Sequence, residues 1–326
     1  MSLKAIILAA GKGTRMKSDT LKVLHLVAGK PILTYVVETV EKLGVDETIV
    51  VVGHQADQVK NTLQKDHISF VLQEEQLGTG HAVMQVASHL RDGEDSALVV
   101  LAGDCPLIEL ETLQNLLAIH NESNASATIL TAKLKEPANY GRIVRGKMGT
   151  VVAIREAKDC STAELKIKEI NTGIYIFQKN LLFESLKKIN TNNQQKEYYL
   201  TDVIHILKEE GESVAAYCTD NSDQVIGINT RMDLSKTNKI IYQRNNDYFL
   251  HDGVTIIDPD TTFIDSTVQI GLDTIVYPFT VIQENTVIGN DCKIGPNVFI
   301  RNGNIETGSM VTPFTKIDIA PANASH

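Results

Sequence analysis

The hydrophobic positions of this chain change period along its length. Over the first 130 residues, short apolar β-branched runs alternate with stretches of helical spacing. Ala5–Ala9 (AIILA), Thr48–Val52 (TIVVV), Ile68–Leu72 and Ala97–Ala102 (ALVVLA) read as strands. Pro31 to Leu43, residues 55–64, Thr79–Arg91 and Glu109–His120 read as helices, proline being favoured in a first turn. Apolar strands separated by helices predict a parallel sheet covered on both faces. Ligands bind such sheets beyond the carboxyl ends of the strands, here the segments after Ala9, Leu72 and Ala102. From 125 to 177 strands predominate, at Ala127–Ala132, Arg142–Arg145, Thr150–Ile154 and Glu169–Phe177. Asn190–Lys196 is a polar loop, and Met232–Leu250 reads as a long helix.

A different period begins near residue 264. Ile264, Ile270, Val276, Ile282, Ile288, Ile294 and Ile300 recur every sixth residue. Four positions after each comes a small or β-branched residue: Val268, Thr274, Thr280, Thr286, Cys292, Val298. Six residues advance a helix by about 600°, which leaves such a series off any single face. A coil with three flat faces accommodates it, with one hexad per face and the aliphatic residue pointing inward, as in the hexapeptide parallel β-helix. Asn304 breaks the second series, and the phase slips after Ile300. The series is expected to resume at Ile305, Val311 and Ile317, leaving room for about three coils of 18 residues.

Composition narrows the class. At 326 residues, two domains are expected. Hydrophobic content of 43% and charged content of 22% are those of a globular chain. No apolar run is long enough for a membrane span, and Met1–Ala10 enters a strand without the features of a signal peptide. The four cysteines lie at least 55 residues apart, matching neither a zinc pattern nor a disulfide framework. A cytoplasmic protein is therefore expected. The net charge of −9 argues against nucleic acid as a partner.

Against that acidic background one loop is basic. Residues 11–22 hold Lys12, Arg15, Lys17 and Lys22 against Asp19, a local charge of +3, so the remainder carries −12. The run Leu8-Ala-Ala-Gly-Lys-Gly-Thr-Arg-Met16 is glycine-rich, so its backbone N–H groups can approach a phosphate. It matches neither a Walker A loop nor a dinucleotide fingerprint. A cationic loop at the ligand-binding edge of a sheet points to polyphosphate.

The same run, followed by Leu21-Lys-Val-Leu24, resembles the signature of sugar-1-phosphate nucleotidyltransferases. Gln73-Glu-Glu-Gln-Leu-Gly-Thr-Gly-His-Ala82 is similar to the nucleobase loop of bacterial bifunctional N-acetylglucosamine-1-phosphate uridyltransferases/glucosamine-1-phosphate acetyltransferases. So are Gly103-Asp-Cys-Pro-Leu107, Tyr140-Gly-Arg-Ile143, Glu169-Ile-Asn-Thr-Gly173, Glu197-Tyr-Tyr-Leu-Thr-Asp202 and Gly227-Ile-Asn-Thr-Arg231. The order of these blocks, followed by hexads, makes the match specific.

The resemblance implies an α/β fold: a Rossmann-like, glycosyltransferase-A-like nucleotidyltransferase domain over 1–228, a connecting helix over 229–250, and a short left-handed parallel β-helix over 251–326. It implies uridylyl transfer from UTP to N-acetylglucosamine 1-phosphate with Mg²⁺, a step in cell wall biosynthesis. Arg15 and Lys22 would neutralise the triphosphate. Leu8, Ala9, Ala10, Gly11, Gln73, Gln76, Gly78 and Thr79 would bind the nucleotide. Gly141, Glu156, Asn171 and Thr201 would meet the sugar, and Asp104 and Asn229 the metal.

The attacking group is already an anionic phosphate oxygen. Positioning and charge neutralisation therefore suffice, without a general base. His54, His67, His89, His120 and His205 show no ligand spacing and are expected to be surface or core residues. Two alternatives remain: another substrate pair, such as glucose 1-phosphate with UTP or dTTP, or a non-catalytic regulatory paralogue. In the family this sequence resembles, later coils of a longer β-helix carry acetyl transfer with a catalytic histidine; only about three coils fit here and no histidine lies between His251 and His326, so acetyl transfer is expected to be absent. The resemblance implies a homo-oligomer, a trimer in the family.

Overall fold

The computed structural model describes residues 2–63, 65, 67–90 and 96–320. Two compact units form, one from residues 1–24 and 32–229, the other from 25–31 and 230–326. The sequence division at 228 placed 25–31 in the first domain. In the structure Leu26–Val27 and Lys30–Pro31 form a small hairpin that groups with the second unit. There the Asn238 side chain accepts from the Ala28 N–H, and the Ala28 carbonyl accepts from the Ser266 N–H. Pro31 thus ends a strand, and the helix begins at Ile32.

The first unit is built on a nine-stranded sheet. Its strands are β1 (Ser2–Ala9), β2 (Glu47–Val52), β3 (Ile68–Leu72), β4 (Ser96–Ala102), β5 (Ala127–Lys133), β6 (Arg142–Arg145), β7 (Val151–Arg155), β8 (Glu169–Gln178) and β9 (Val214–Thr219). The main path runs β9-β5-β8-β4-β1-β2-β3, and the β6–β7 hairpin joins at β8. β1 to β4 pair in parallel, as their apolar runs predict, with Ile6 opposite both Ile49 and Val100. β8 inserts between β4 and β5 and runs antiparallel to both.

The helices are α1 (Ile32–Leu43), α2 (Ala56–Thr62), α3 (Thr79–Met84), α4 (Leu110–Glu122), α5 (Lys179–Leu186) and α6 (Asp202–Glu209). Because side chains alternate along a strand, β1 feeds two cores. Ala5, Ile7 and Ala9 pack with Val36, Val40 and Leu113 of α1 and α4. Ile6 packs on the other face with Val83, Leu182 and Val203 of α3, α5 and α6. Fully covered faces explain why β1, β2 and β4 are nearly continuous apolar runs. α3 ends at Met84, short of the expected helix, and continues in tighter turns such as Val86 N–H to Val83 O. The expected end at Arg91 lies outside the described residues.

The second unit opens with α7 (Arg231–His251), capped by Thr230, whose hydroxyl accepts from the Asp233 N–H while the Asp233 carboxylate accepts from the Thr230 N–H. The strands that follow stack into three parallel sheets, two of four strands and one of three. The sixth-residue aliphatics all point inward: Ile264, Val276, Ile282, Ile294 and Ile300 are fully buried, and Val268, Thr274, Thr280, Thr286, Cys292 and Val298 fill the second inward position. This is the parallel β-helix of the left-handed hexapeptide class.

The phase slip has a simple origin. Ile264 pairs with Ile282 and Ile282 with Ile300, but Ile288 pairs with Ile305, one residue short. Gly303 therefore takes the inward place, its carbonyl accepting from the Val287 N–H, and Asn304 turns outward. Val311 and Ile317 resume the series. Among the described residues no helix is long and apolar enough to cross a membrane.

Candidate active site

The carboxyl ends of β1 and β4, with the start of the loop after β3, border one cavity of about 380 Å³. Leu8, Ala9, Ala10, Gly11, Lys22, Gln73, Gln76, Gly78, Thr79 and Asp104 line it. So do Lys12, Val23, Ala82, Ala102 and Glu197, to which sequence reading gave no role. Lys12 was visible only as loop charge. Glu197 belongs to the Glu197–Asp202 block, and nothing in the sequence aims it at a loop more than a hundred residues away.

Of the cationic cluster, Lys22 and Asp104 line this cavity, while Arg15 and Asn229 do not and join through hydrogen bonds. Arg15 sits on the single 3₁₀ turn Thr14–Met16, entered through Gly13 in the left-handed conformation. Its guanidinium donates to the Asn229 side-chain oxygen at 2.9 Å. The Lys22 ammonium donates to the Asp104 carboxylate and to the same Asn229 oxygen, the latter at 3.2 Å. Lys22 and Asp104 are both largely buried, with side-chain exposures of 15% and 14%.

Asp104 follows β4, and its carbonyl accepts from the Ile228 N–H, which ties the two blocks together. A Cβ on Gly227 would lie 3.1 Å from Asp104 Oδ1, so a side chain there would crowd the carboxylate. The Cys105 thiol beneath donates to Asp104 Oδ1 at 3.5 Å, and burial pushes it well above the ordinary thiol range.

One carboxylate oxygen and one amide oxygen thus converge on a cation, the Lys22 ammonium. That donor set fits a hard divalent ion, which takes one or two protein oxygens and completes its shell with water and phosphate. Among the described residues no cluster of three or more histidine, cysteine or acidic side chains forms a larger metal cage.

The nucleobase end is set by Gln73 and Gly78. Gln73 is buried and donates to the Gly78 carbonyl at 3.2 Å. Gly78 has φ of 112°, and a Cβ there would lie 2.6 Å from the Tyr198 carbonyl oxygen, so only glycine fits without displacement. The segment 197–202 clamps this loop. The Leu77 carbonyl accepts from the Tyr198 N–H, the Tyr198 carbonyl from the Gly80 N–H, and the Thr79 hydroxyl from the Leu200 N–H. Gln76 donates to the Ala10 carbonyl at 2.6 Å, joining the base loop to the end of β1.

Gly141, Glu156, Asn171 and Thr201 do not line this cavity but pair with each other. The Gly141 carbonyl accepts from the Asn171 N–H at 2.8 Å. The Thr201 hydroxyl donates to Glu156 at 3.2 Å. Burial raises the Glu156 carboxyl above its ordinary range; the Thr201 hydrogen bond opposes this, and nearby Asp159, Asp202 and Glu197 add to it. Glu197, which also lines the cavity, links the two groups of residues. Asn171 sits at a register shift in β8, where its amide donates to the Tyr175 hydroxyl at 2.7 Å. Sequence reading missed Tyr175, because an aromatic in an apolar strand reads as core.

The nucleotidyl transferase family profile matches residues 4–237, and the bacterial transferase hexapeptide profile (six repeats) matches 267–302. The chain is 50% identical over 307 residues to a protein named bifunctional protein GlmU from Exiguobacterium sp. (strain ATCC BAA-1283 / AT1b), covering 94% of this chain and 68% of the relative. The GlmU of Enterococcus faecalis is 50% identical, with 92% and 65% covered. That of Geobacillus thermodenitrificans is 51% identical, with the same coverage. The chain thus spans about two thirds of the length of these relatives. Among solved structures, a UDP-glucose pyrophosphorylase complexed with UDP-glucose aligns with a TM-score of 0.61 at 17% identity, covering 75% of this chain and all of that one, a likeness of fold.

Proposed function

The chain belongs to the GlmU family of nucleotidyl transferases, and from that premise we propose that it transfers uridylyl from UTP to N-acetylglucosamine 1-phosphate, releasing pyrophosphate. The observation that carries this reading is the convergence of Lys22, Asp104, Asn229 and Arg15 at the edge of the cavity lined by the base loop.

In the reaction a phosphate oxygen of the sugar attacks the α-phosphorus. A new P–O bond forms there as the bond to the β-phosphate bridging oxygen breaks, and the electron pair leaves with pyrophosphate. Negative charge accumulates on the phosphoryl oxygens, so fixed cations lower the barrier most. Lys22 is assigned to the α-phosphate and Arg15 to the β- and γ-phosphates. Leu8, Ala9, Ala10 and Gly11 bring backbone to the nucleotide, with Gln76 and Thr79 framing the base loop. Enzymes of this family use a divalent metal. Here Asp104 and Asn229 would hold it, proposed as Mg²⁺, and its charge would offset that of the phosphates.

The Gly78 N–H has no protein partner among the described residues, and Gly78 and Gln73 line the same cavity. This donor and the Gln73 amide oxygen are assigned to the carbonyl and N3–H edge of uracil. Glu156, Asn171 and Thr201 are assigned to sugar hydroxyls and the N-acetyl group, with Gly141 giving close backbone approach. A homo-oligomer assembled through the hexapeptide unit and a cytoplasmic location belong to the same proposal.

The test is pyrophosphate release in Mg²⁺ with UTP and N-acetylglucosamine 1-phosphate, compared with glucose 1-phosphate and with dTTP. Turnover with the first pair above the others is expected. Faster turnover with another pair would reassign the substrate, and none with any sugar phosphate would overturn the enzyme reading.

A further inference from the structure

We infer that His81 is a positioning residue for base selection: it holds the Gln73 amide with its oxygen toward the nucleobase. The inference rests on the uridylyl-transfer reading above and adds a residue to it. His81 does not line the nucleotide cavity. It stands behind it, on α3, its ring stacked at 6.2 Å on Tyr198.

Hydrogen-bond polarity fixes the orientation of the Gln73 amide. The Gly78 carbonyl can only accept, and it already accepts from the Ala82 N–H. The end of the Gln73 amide that lies 3.2 Å from it must therefore be the nitrogen. That nitrogen is also 3.1 Å from His81 Nδ1. Its second hydrogen points at the ring, so Nδ1 must be the unprotonated, accepting nitrogen, and the ring proton sits on Nε2.

The Gln85 amide nitrogen lies 3.1 Å from Nε2 and 3.2 Å from the His81 carbonyl, to which it donates. Gln85 is half-buried where Gln73 is buried, so it is the side chain able to turn, and turning presents its oxygen to the ring proton at the cost of the bond to the carbonyl. Both Gln73 hydrogens are then engaged, and its oxygen, without a protein partner among the described residues, is the group left for the cavity. An acceptor in that place welcomes the N3–H of uracil and opposes the N3 lone pair of cytosine. Without the imidazole, one of the two anchors is gone and the amide is free to turn.

The test compares UTP with CTP, in kcat/KM with N-acetylglucosamine 1-phosphate and in nucleotide binding by calorimetry without the sugar. His81→Leu is expected to cut the UTP-over-CTP preference about tenfold or more, through KM for UTP, with kcat within about threefold. His81→Phe keeps the stack on Tyr198 without the acceptor and should do the same, which keeps the test open if the leucine variant folds poorly. His81→Asn, whose Oδ1 can replace Nδ1 as acceptor, should restore most of the preference. Equal losses for both nucleotides, or an unchanged preference in both variants, would overturn the inference. If the wild-type protein bound UTP over CTP without releasing pyrophosphate, the uridylyl-transfer reading would fail while the binding ratio still judged His81.

Discussion

The Lys22 ammonium rests on the Asp104 carboxylate and lies 3.2 Å from the Asn229 side-chain oxygen. These residues come from three distant parts of the chain, yet they place a positive charge between the two oxygens proposed to hold a metal. Lys22→Met should therefore have two opposite effects. Turnover should fall about 10²- to 10³-fold, the loss expected when one preorganised charge on a phosphoryl group is removed. Mn²⁺ affinity without nucleotide, read by electron paramagnetic resonance, should rise, because the internal counter-ion is gone. Unchanged or weaker Mn²⁺ binding would show that the ammonium does not compete for the site.

Asp104→Ala removes the only carboxylate of this pair. Turnover in Mg²⁺ should fall at least about 10³-fold, with a cooperative unfolding transition retained. Wild-type rates in this variant would show the metal assignment to be wrong.

Glu156 offers a pH test. Its folded pKa is raised, chiefly by burial, so the folded state holds its proton more tightly than the unfolded state does. Below the unfolded value, near 4.5, the group has no effect on stability. As pH rises through the raised folded pKa, ionisation costs stability. Glu156→Gln should therefore raise Tm more at pH 7 than at pH 4.5. The same change should raise KM for the sugar phosphate about tenfold, because a charged acceptor is lost. A Tm increment independent of pH would contradict the assignment.

Ile282 occupies the middle of the β-helix stack, paired with Ile264 on one side and Ile300 on the other, and is fully buried. Ile282→Ala should cost about 2–5 kcal/mol in denaturant unfolding, the range for a buried aliphatic truncated to alanine. A loss under about 1 kcal/mol would mean the stack collapses around the gap.

Much of the fold was legible because burial repeats with the geometry of the element. The hexads from Ile264 to Ile300 could face inward only in a three-sided coil, and their burial follows. The apolar runs of β1, β2 and β4 required cover on both faces, and the glycine-rich, basic run after Ala9 lies where the sheet's ligand edge was expected, with Ala10, Gly11, Lys12 and Lys22 lining the cavity. In these cases local spacing carries the information, since side-chain direction is set by backbone period alone.

What needed the tertiary structure depends on contacts between segments far apart in sequence. The insertion of antiparallel β8 between β4 and β5 leaves no local signature, because either direction buries the same apolar residues. Gly303 in place of Asn304 as the inward residue follows from pairing with the coil beneath. The ion pair of Lys22 with Asp104, and the imidazole of His81 behind Gln73, exist only once the chain has closed. Hydrogen bonds are directional and short-ranged, so spacing along a sequence names the residue types for a site, while only their packed positions decide which groups meet.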